Sequence, residues 1–209
     1  MHVVTRYRPI SVESLVEQLV ERILAVKARW PRVLVDGAVD TEAVVNPLAI
    51  LLRLHGHPVH VVSTRDFLRP ASLRFERGRT DPDARYTDWL DVGALRREVL
   101  GPLEPGGTGE VLPTLWDPVR DRATRQPRVP LVPGGVAVVH GELLLGNGLP
   151  ADLSVHLSLS PAALARRLPE DEHWALPAYA RYESEVDPAA VADVVVRMDD
   201  PRHPALKLD

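Results

Sequence analysis

A strand–helix–strand succession with short links constrains this chain most. Val33-Leu34-Val35 is a short apolar run that ends in Asp36-Gly37. Residues 41–55 follow, apolar on most sides through Val44, Val45, Leu48, Ile50, Leu51, Leu52 and Leu54. Gly56 ends that stretch, and residues 59–63 form a second apolar run. Such a unit closes as a right-handed crossover and requires a parallel sheet. The helix between the two strands must be buried against it. Pro47 would kink that helix, or would mark a late start with Asn46 as cap and Pro47 at the first helical position.

The turn after the first strand is the place where many α/β proteins cradle a phosphate. The motif reads G-x-x-x-x-G-K-S/T. Its glycines let backbone N–H groups converge, its lysine neutralises charge and its hydroxyl holds Mg²⁺. Gly37 begins the right spacing, but Glu42, Ala43 and Val44 stand at the later positions. The second glycine, the lysine and the hydroxyl are missing, and a carboxylate at Glu42 would repel phosphate.

Around this unit, residues 11–29 carry apolar side chains at helical spacing (Leu15, Val16, Leu19, Val20, Ile23, Leu24, Val26). Ser11 would cap that helix, or Ser14 with Glu17 would. This N-terminal helix (within 1–30) could pack on the sheet or mediate association. Residues 65–86 are polar and Arg-rich, and residues 92–100 predict a short amphipathic helix. Residues 102–134, rich in Pro, Gly and Thr, predict a projecting hairpin with arms at 111–116 and 128–132. Three more apolar strands are expected at 136–139, 153–159 and 193–196. Helices are expected from Pro161 to Arg167 and over 176–185.

The 209 residues suffice for one sizeable α/β domain. A net charge of −4 argues against a surface that coats nucleic acid. The absence of cysteine removes thiol catalysis and cysteine metal sites. No apolar run reaches membrane-spanning length. Arg6 and Arg8 followed by an acidic amphipathic stretch do not read as a signal peptide, so the cytoplasm is the expected location.

Taken together, an ordered set of segments resembles the uridine kinase-like branch of the phosphate-loop nucleoside kinases, of the actinobacterial type. They are Val33-Leu34-Val35-Asp36-Gly37, Val61-Val62-Ser63-Thr64-Arg65-Asp66-Phe67-Leu68-Arg69-Pro70, Tyr86-Thr87-Asp88-Trp89-Leu90-Asp91 with Ala94-Leu95-Arg96-Arg97-Glu98, Val138-Val139-His140-Gly141, and Tyr182-Glu183-Ser184-Glu185-Val186-Asp187-Pro188 with Ala192-Asp193-Val194-Val195-Val196. The resemblance implies a doubly wound parallel sheet in a three-layer sandwich. It also implies a nucleoside pocket, an Arg-bearing lid within 160–187, and transfer of the γ-phosphoryl of Mg-ATP or GTP to uridine or cytidine.

Carried over residue by residue, the resemblance divides the site in two. On the donor side, Ala43 and Val44 replace the lysine and the Mg²⁺-holding hydroxyl. Arg65 replaces an aspartate after the second strand, and a guanidinium cannot serve as a base. His140 stands where the family often has an acid. On the nucleoside side, Asp88 matches an aspartate that binds ribose hydroxyls, and Trp116 falls where an aromatic ring meets the base. Asp121 replaces a base-contacting residue, and Arg166 and Arg167 match lid arginines.

Each position also has a plainer reading. Asp88 could be a cap, Trp116 a hairpin aromatic on the core, and Arg166 and Arg167 a solvated helix end. Arg65 could bind a phosphate already on the ligand, or pair with Asp36, Asp40 or Glu42. His140 and Glu142 could form an acid–base pair, or His140 could be structural. His55, His57 and His60 read as a surface turn rather than a metal site.

The sequence therefore predicts a pseudokinase that binds a nucleoside or nucleotide through Gly37, Arg65, Asp88, Trp116, Arg166 and Arg167, with no metal and no resident cofactor. It could act as a homo-oligomer or with a partner protein. An active phosphotransferase rebuilt around arginines is the first alternative. A ligand-free interaction module, with Glu42 bonded to Arg65 and its pocket filled, is the second.

Overall fold

The computed structural model describes residues 6–208. Seven strands make its main sheet: β1 (Arg6–Pro9), β2 (Arg32–Asp36), β3 (Val59–Ser63), β4 (Val136–Gly141), β5 (Leu153–Ser158), β6 (Val194–Arg197) and β7 (Ala205–Leu208). Their spatial order is β1-β7-β6-β5-β2-β4-β3. The five strands from β6 to β3 are parallel, as the crossover unit requires. β7 and β1 add antiparallel at one edge. β1 is charged and mostly exposed, and β7 is only four residues long with Leu206 buried, too short a pattern to announce a strand.

β2 is buried along its whole length. Successive side chains go to opposite faces, which divides the core in two. Val33 and Val35 meet one layer with Val138, Val155 and Val196, while Leu34, Val62 and Val139 meet the other. The first layer is covered by helices α1 (Val12–Ala25) and α2 (Glu42–Leu54). Ser11, not Ser14, caps α1: its hydroxyl accepts from the Ser14 N–H at 3.1 Å. Leu15, Leu19 and Ile23 pack α1 into the core, so its apolar face is already covered. The helix stops at Ala25, short of the apolar pattern, because Val26 is extended.

α2 starts at Glu42 and runs through Pro47. This rules out the late start at Pro47. The missing N–H leaves the Ala43 carbonyl without its usual donor. Burial of Val44, Val45, Leu48 and Leu52 offsets that loss.

On the other face lie α3 (Pro82–Thr87), α4 (Pro161–Arg167) and α5 (Leu176–Val186). Residues 92–100 are helical but change pitch, with an α-turn at Val92–Leu95 followed by a π-turn at Arg96–Leu100. The expected long hairpin is two separate ribbons. Glu110–Val111 pairs with Val129–Pro130, and Trp116–Asp117 pairs with Arg122–Ala123. The first is anchored rather than projecting, since Val111 and Leu131 are buried with Trp30, Leu103 and Ala137. The fold is thus α/β, with the chain winding outward from β2 in both directions. Ligands of such sheets bind beyond the carboxyl ends of the strands at this reversal.

Candidate functional site

An open cleft of about 840 Å³ lies at that reversal, walled by the turn after β2, the ends of β3 and β4, α3 and the start of the lid segment. The turn spans residues 37–41. Gly37 donates its N–H to the Gly141 carbonyl at 2.9 Å, so the turn is zipped to the end of β4. A Cβ at Gly37 would stand 3.1 Å from both Leu157 Cβ and Thr41 Cγ2, which explains the glycine by close approach.

α2 begins with the chain's own acids. Asp40 and Glu42 flank Thr41, whose hydroxyl is 3.4 Å from Glu42 Oε2. An N-terminal helix end favours an anion, and here two carboxylates already supply it. Arg167 from α4 reaches across to Asp40 at 2.5 Å. Ala43 contributes only a methyl group, and Val44 is fully buried in the α1–α2 layer. The start of α2 thus presents two carboxylates and the Thr41 hydroxyl to the cleft, and no lysine lines it. Among the described residues, no cluster of three His, Asp or Glu forms a metal site.

His140 and Glu142 both line the cleft, but they are not an acid–base pair. His140 is buried, with Nδ1 2.8 Å from the Thr41 hydroxyl. Burial holds its pKa below the ordinary value, with Glu42 pulling weakly the other way. Glu142 is instead gripped by Arg85 at 2.5 Å and accepts a hydrogen bond from the Tyr179 hydroxyl. Burial and then the Glu142 charge push the Tyr179 phenol far above its usual range, so it remains a donor.

The arginines are unequally engaged. Arg85 stacks over Trp89 at 4.2 Å and spends its charge on Glu142. Arg74 is buried, donates from Nε to the Arg69 carbonyl at 2.7 Å, and lies 3.7 Å from Asp121. Arg65 lines the cleft, is exposed, and has no ion pair among the described residues. The expected pairing of Arg65 with Asp36, Asp40 or Glu42 does not form. Its neighbour Asp66, half-buried with its carboxyl pKa raised by burial, lies outside the cleft lining. The bond between Glu42 and Arg65 and the filled pocket expected of a ligand-free module are both absent.

Several residues singled out for the nucleoside side lie elsewhere. Asp88 is outside the cleft lining and accepts from Arg77 at 2.8 Å. Trp116 belongs to the second ribbon, with its indole N–H donating to Asp121 at 3.1 Å. Asp121 also accepts from the Ala71 N–H at 2.8 Å, so its role is to tie loops together. Arg166 is exposed and outside the lining, one residue out of step with Arg167 on α4. Gly37, Arg65, His140, Glu142 and Arg167 are brought together. His55 Nδ1 lies 2.9 Å from the Leu51 carbonyl within its own turn, whereas His57 Nδ1 reaches the distant Gly134 carbonyl at 2.8 Å.

The aromatic wall comes from residues that were not singled out. Trp89 and Trp174 both line the cleft, with ring centroids 5.8 Å apart. Trp89 stands one residue after Asp88 within a segment that carried the resemblance, just past the end of α3. Trp174 had no signal, because it arrives from a distant segment.

No family model matches this sequence, and no curated protein does. Among solved structures, a possible uridine kinase from Bacillus stearothermophilus is similar over 88% of this chain and 98% of its own, at 21% identity and a TM-score of 0.71. The fold is that of the phosphate-loop nucleoside kinases. A candidate fructose transport system kinase from Silicibacter sp. TM1040 shares this uridine kinase-like fold over 86% of this chain and 91% of its own, at 22% identity and a TM-score of 0.59. The YGR205w protein matches 96% of this chain and all of its own at 10% identity and a TM-score of 0.55. At these identities the likeness concerns the uridine kinase-like fold, and function rests on the residues in the cleft. No helix among the described residues is long and apolar enough to cross a membrane.

Proposed function

We propose that this protein binds a nucleoside or nucleotide in the cleft and does not carry out ordinary Mg-ATP phosphoryl transfer. One observation carries the reading: Asp40 and Glu42 stand at the N-terminus of α2, with Arg167 drawn onto Asp40. The helix end that would attract a triphosphate repels it instead. The acceptor side supports a ligand. Trp174 offers a stacking surface beside Trp89, whose own ring already carries Arg85, and stacking tolerates many bases at about 1–3 kcal/mol each. Arg65 is the cation left to meet a phosphate on that ligand. Calorimetry with uridine, UMP and ATP, each with and without Mg²⁺, tests this. We expect UMP to bind independently of Mg²⁺ and more tightly than uridine. Micromolar Mg-ATP binding with turnover would overturn it.

The unpaired Arg65 also favours a second reading, a phosphotransferase whose arginines replace lysine and metal in stabilising phosphoryl charge. That reading requires product from a panel of nucleosides and phosphate donors, abolished in Arg65→Ala. The non-catalytic reading requires only that this variant lose the preference for UMP over uridine. A homo-oligomer, a partner protein and a cytoplasmic location remain compatible proposals.

A further inference from the structure

A second cavity, of about 500 Å³, lies beside the cleft between β5, α4 and α5. Its walls are largely apolar, with Leu143, Leu157, Leu159, Leu164 and Leu176 among them. Its polar end is built from Asp36, His156 and Glu183, none of which lines the cleft, and from Tyr182, which lines both. Asp36, at the tip of β2 and 1% exposed, accepts the Leu144 N–H at 2.8 Å through Oδ1. Its Oδ2 lies 2.6 Å from His156 Nδ1. A carboxylate that accepts on both oxygens assigns the ring proton to Nδ1.

His156, on β5 and 4% exposed, then presents the lone pair of Nε2, which is buried without a hydrogen-bond partner. Glu183 on α5 screens it from 3.7 Å, too far for a hydrogen bond, with its side chain half exposed. Tyr182 adds no free donor: its hydroxyl accepts from the Leu145 N–H at 2.9 Å and is drawn toward Asp36. The cavity end therefore has an unmet imidazole acceptor beside a carboxylate, and no donor to answer either. An unpaired buried polar atom is costly, so such an atom at a cavity wall points to a missing partner.

We infer that this cavity is a binding site for a small amphipathic amine, an aliphatic or aryl-alkyl body ending in one primary ammonium. The body fills the leucine-lined space. The ammonium donates to His156 Nε2 and Glu183 together, which an alcohol with one hydrogen cannot do and a carboxylate opposes.

The test uses the full chain with three probes of one body, hexylamine, hexanol and hexanoate, followed by calorimetry and by nitrogen-15 shifts of the His156 ring. We expect saturable binding of hexylamine that moves the His156 signals, with hexanol at least about tenfold weaker and hexanoate silent. Leu164→Trp, which fills the cavity, should abolish amine binding while leaving UMP binding in the cleft unchanged. His156→Gln should weaken the amine and leave hexanol unaffected. Equal affinity for amine and alcohol, binding without a change at His156, binding that survives Leu164→Trp, or no binding at all would each overturn the inference. UMP titration of the same samples reports the cleft separately, so failure here does not count against the nucleotide reading.

Discussion

At the scale of single residues, the site is held by very short tolerances. Gly141 ends β4 at a φ of +149°, and a Cβ there would lie 1.8 Å from the Thr64 hydroxyl oxygen. Gly141→Ala must therefore displace the buried Thr64, at the start of the turn after β3. We expect a loss of about 3 kcal/mol or more, measured by urea denaturation, combining overpacking with backbone strain. His140 makes a different prediction. Its pKa is lowered by burial in the folded state, so below the ordinary value of 6.5 the unfolded chain takes up the proton first. Stability is then full above that value and is lost as pH falls through it, by at most about 1.4 kcal/mol per pH unit for one proton. The slope between pH 7 and 5 should flatten in His140→Gln. An unchanged slope would mean that His140 takes up its proton equally in the folded and unfolded protein. These residues also mark what the sequence could tell. The expectation at Ala43 and Val44 could be drawn from sequence because motif chemistry is local. That Arg65 stays unpaired, or that Glu142 belongs to Arg85, was not, because three-dimensional distances between segments decide it.

At the scale of elements, the central strands were readable because burial on both faces makes them continuous apolar runs. β1 and β7 were not: β1 is mostly exposed at the sheet edge, and β7 alternates over only four residues with Leu206 inward. The small ribbons escaped for a related reason: two-residue strands lie below any period. What fixes β2 beside β5 is more than their ladder. Arg32 donates through its backbone N–H, Nε and Nη2 to Asp152 at 2.8, 2.9 and 2.9 Å. Both side chains are largely buried. Removing one partner strands the other charge. Asp152→Ala should cost about 2–3 kcal/mol, toward the low end for a buried pair because Asp152 keeps some water contact. Thermal denaturation checks this, and a change within a few tenths of a kcal/mol would show that Arg32 finds water instead.

At the scale of the whole molecule, the sheet separates two packing layers that share almost no side chains. Leu48 belongs to the layer of α1 and α2, away from the cleft. Leu48→Ala should destabilise the protein by about 2–5 kcal/mol, yet the folded fraction should bind UMP with unaltered affinity. A matching drop in affinity would mean that the layers are coupled. Val44 stands at the first turn of α2 yet is fully buried in the layer that α1 and α2 cover. A side chain beside the cleft thus serves the packing that keeps the molecule folded. Anyone who exchanged it for a hydroxyl to change the chemistry of the turn would be trading foldedness for reactivity.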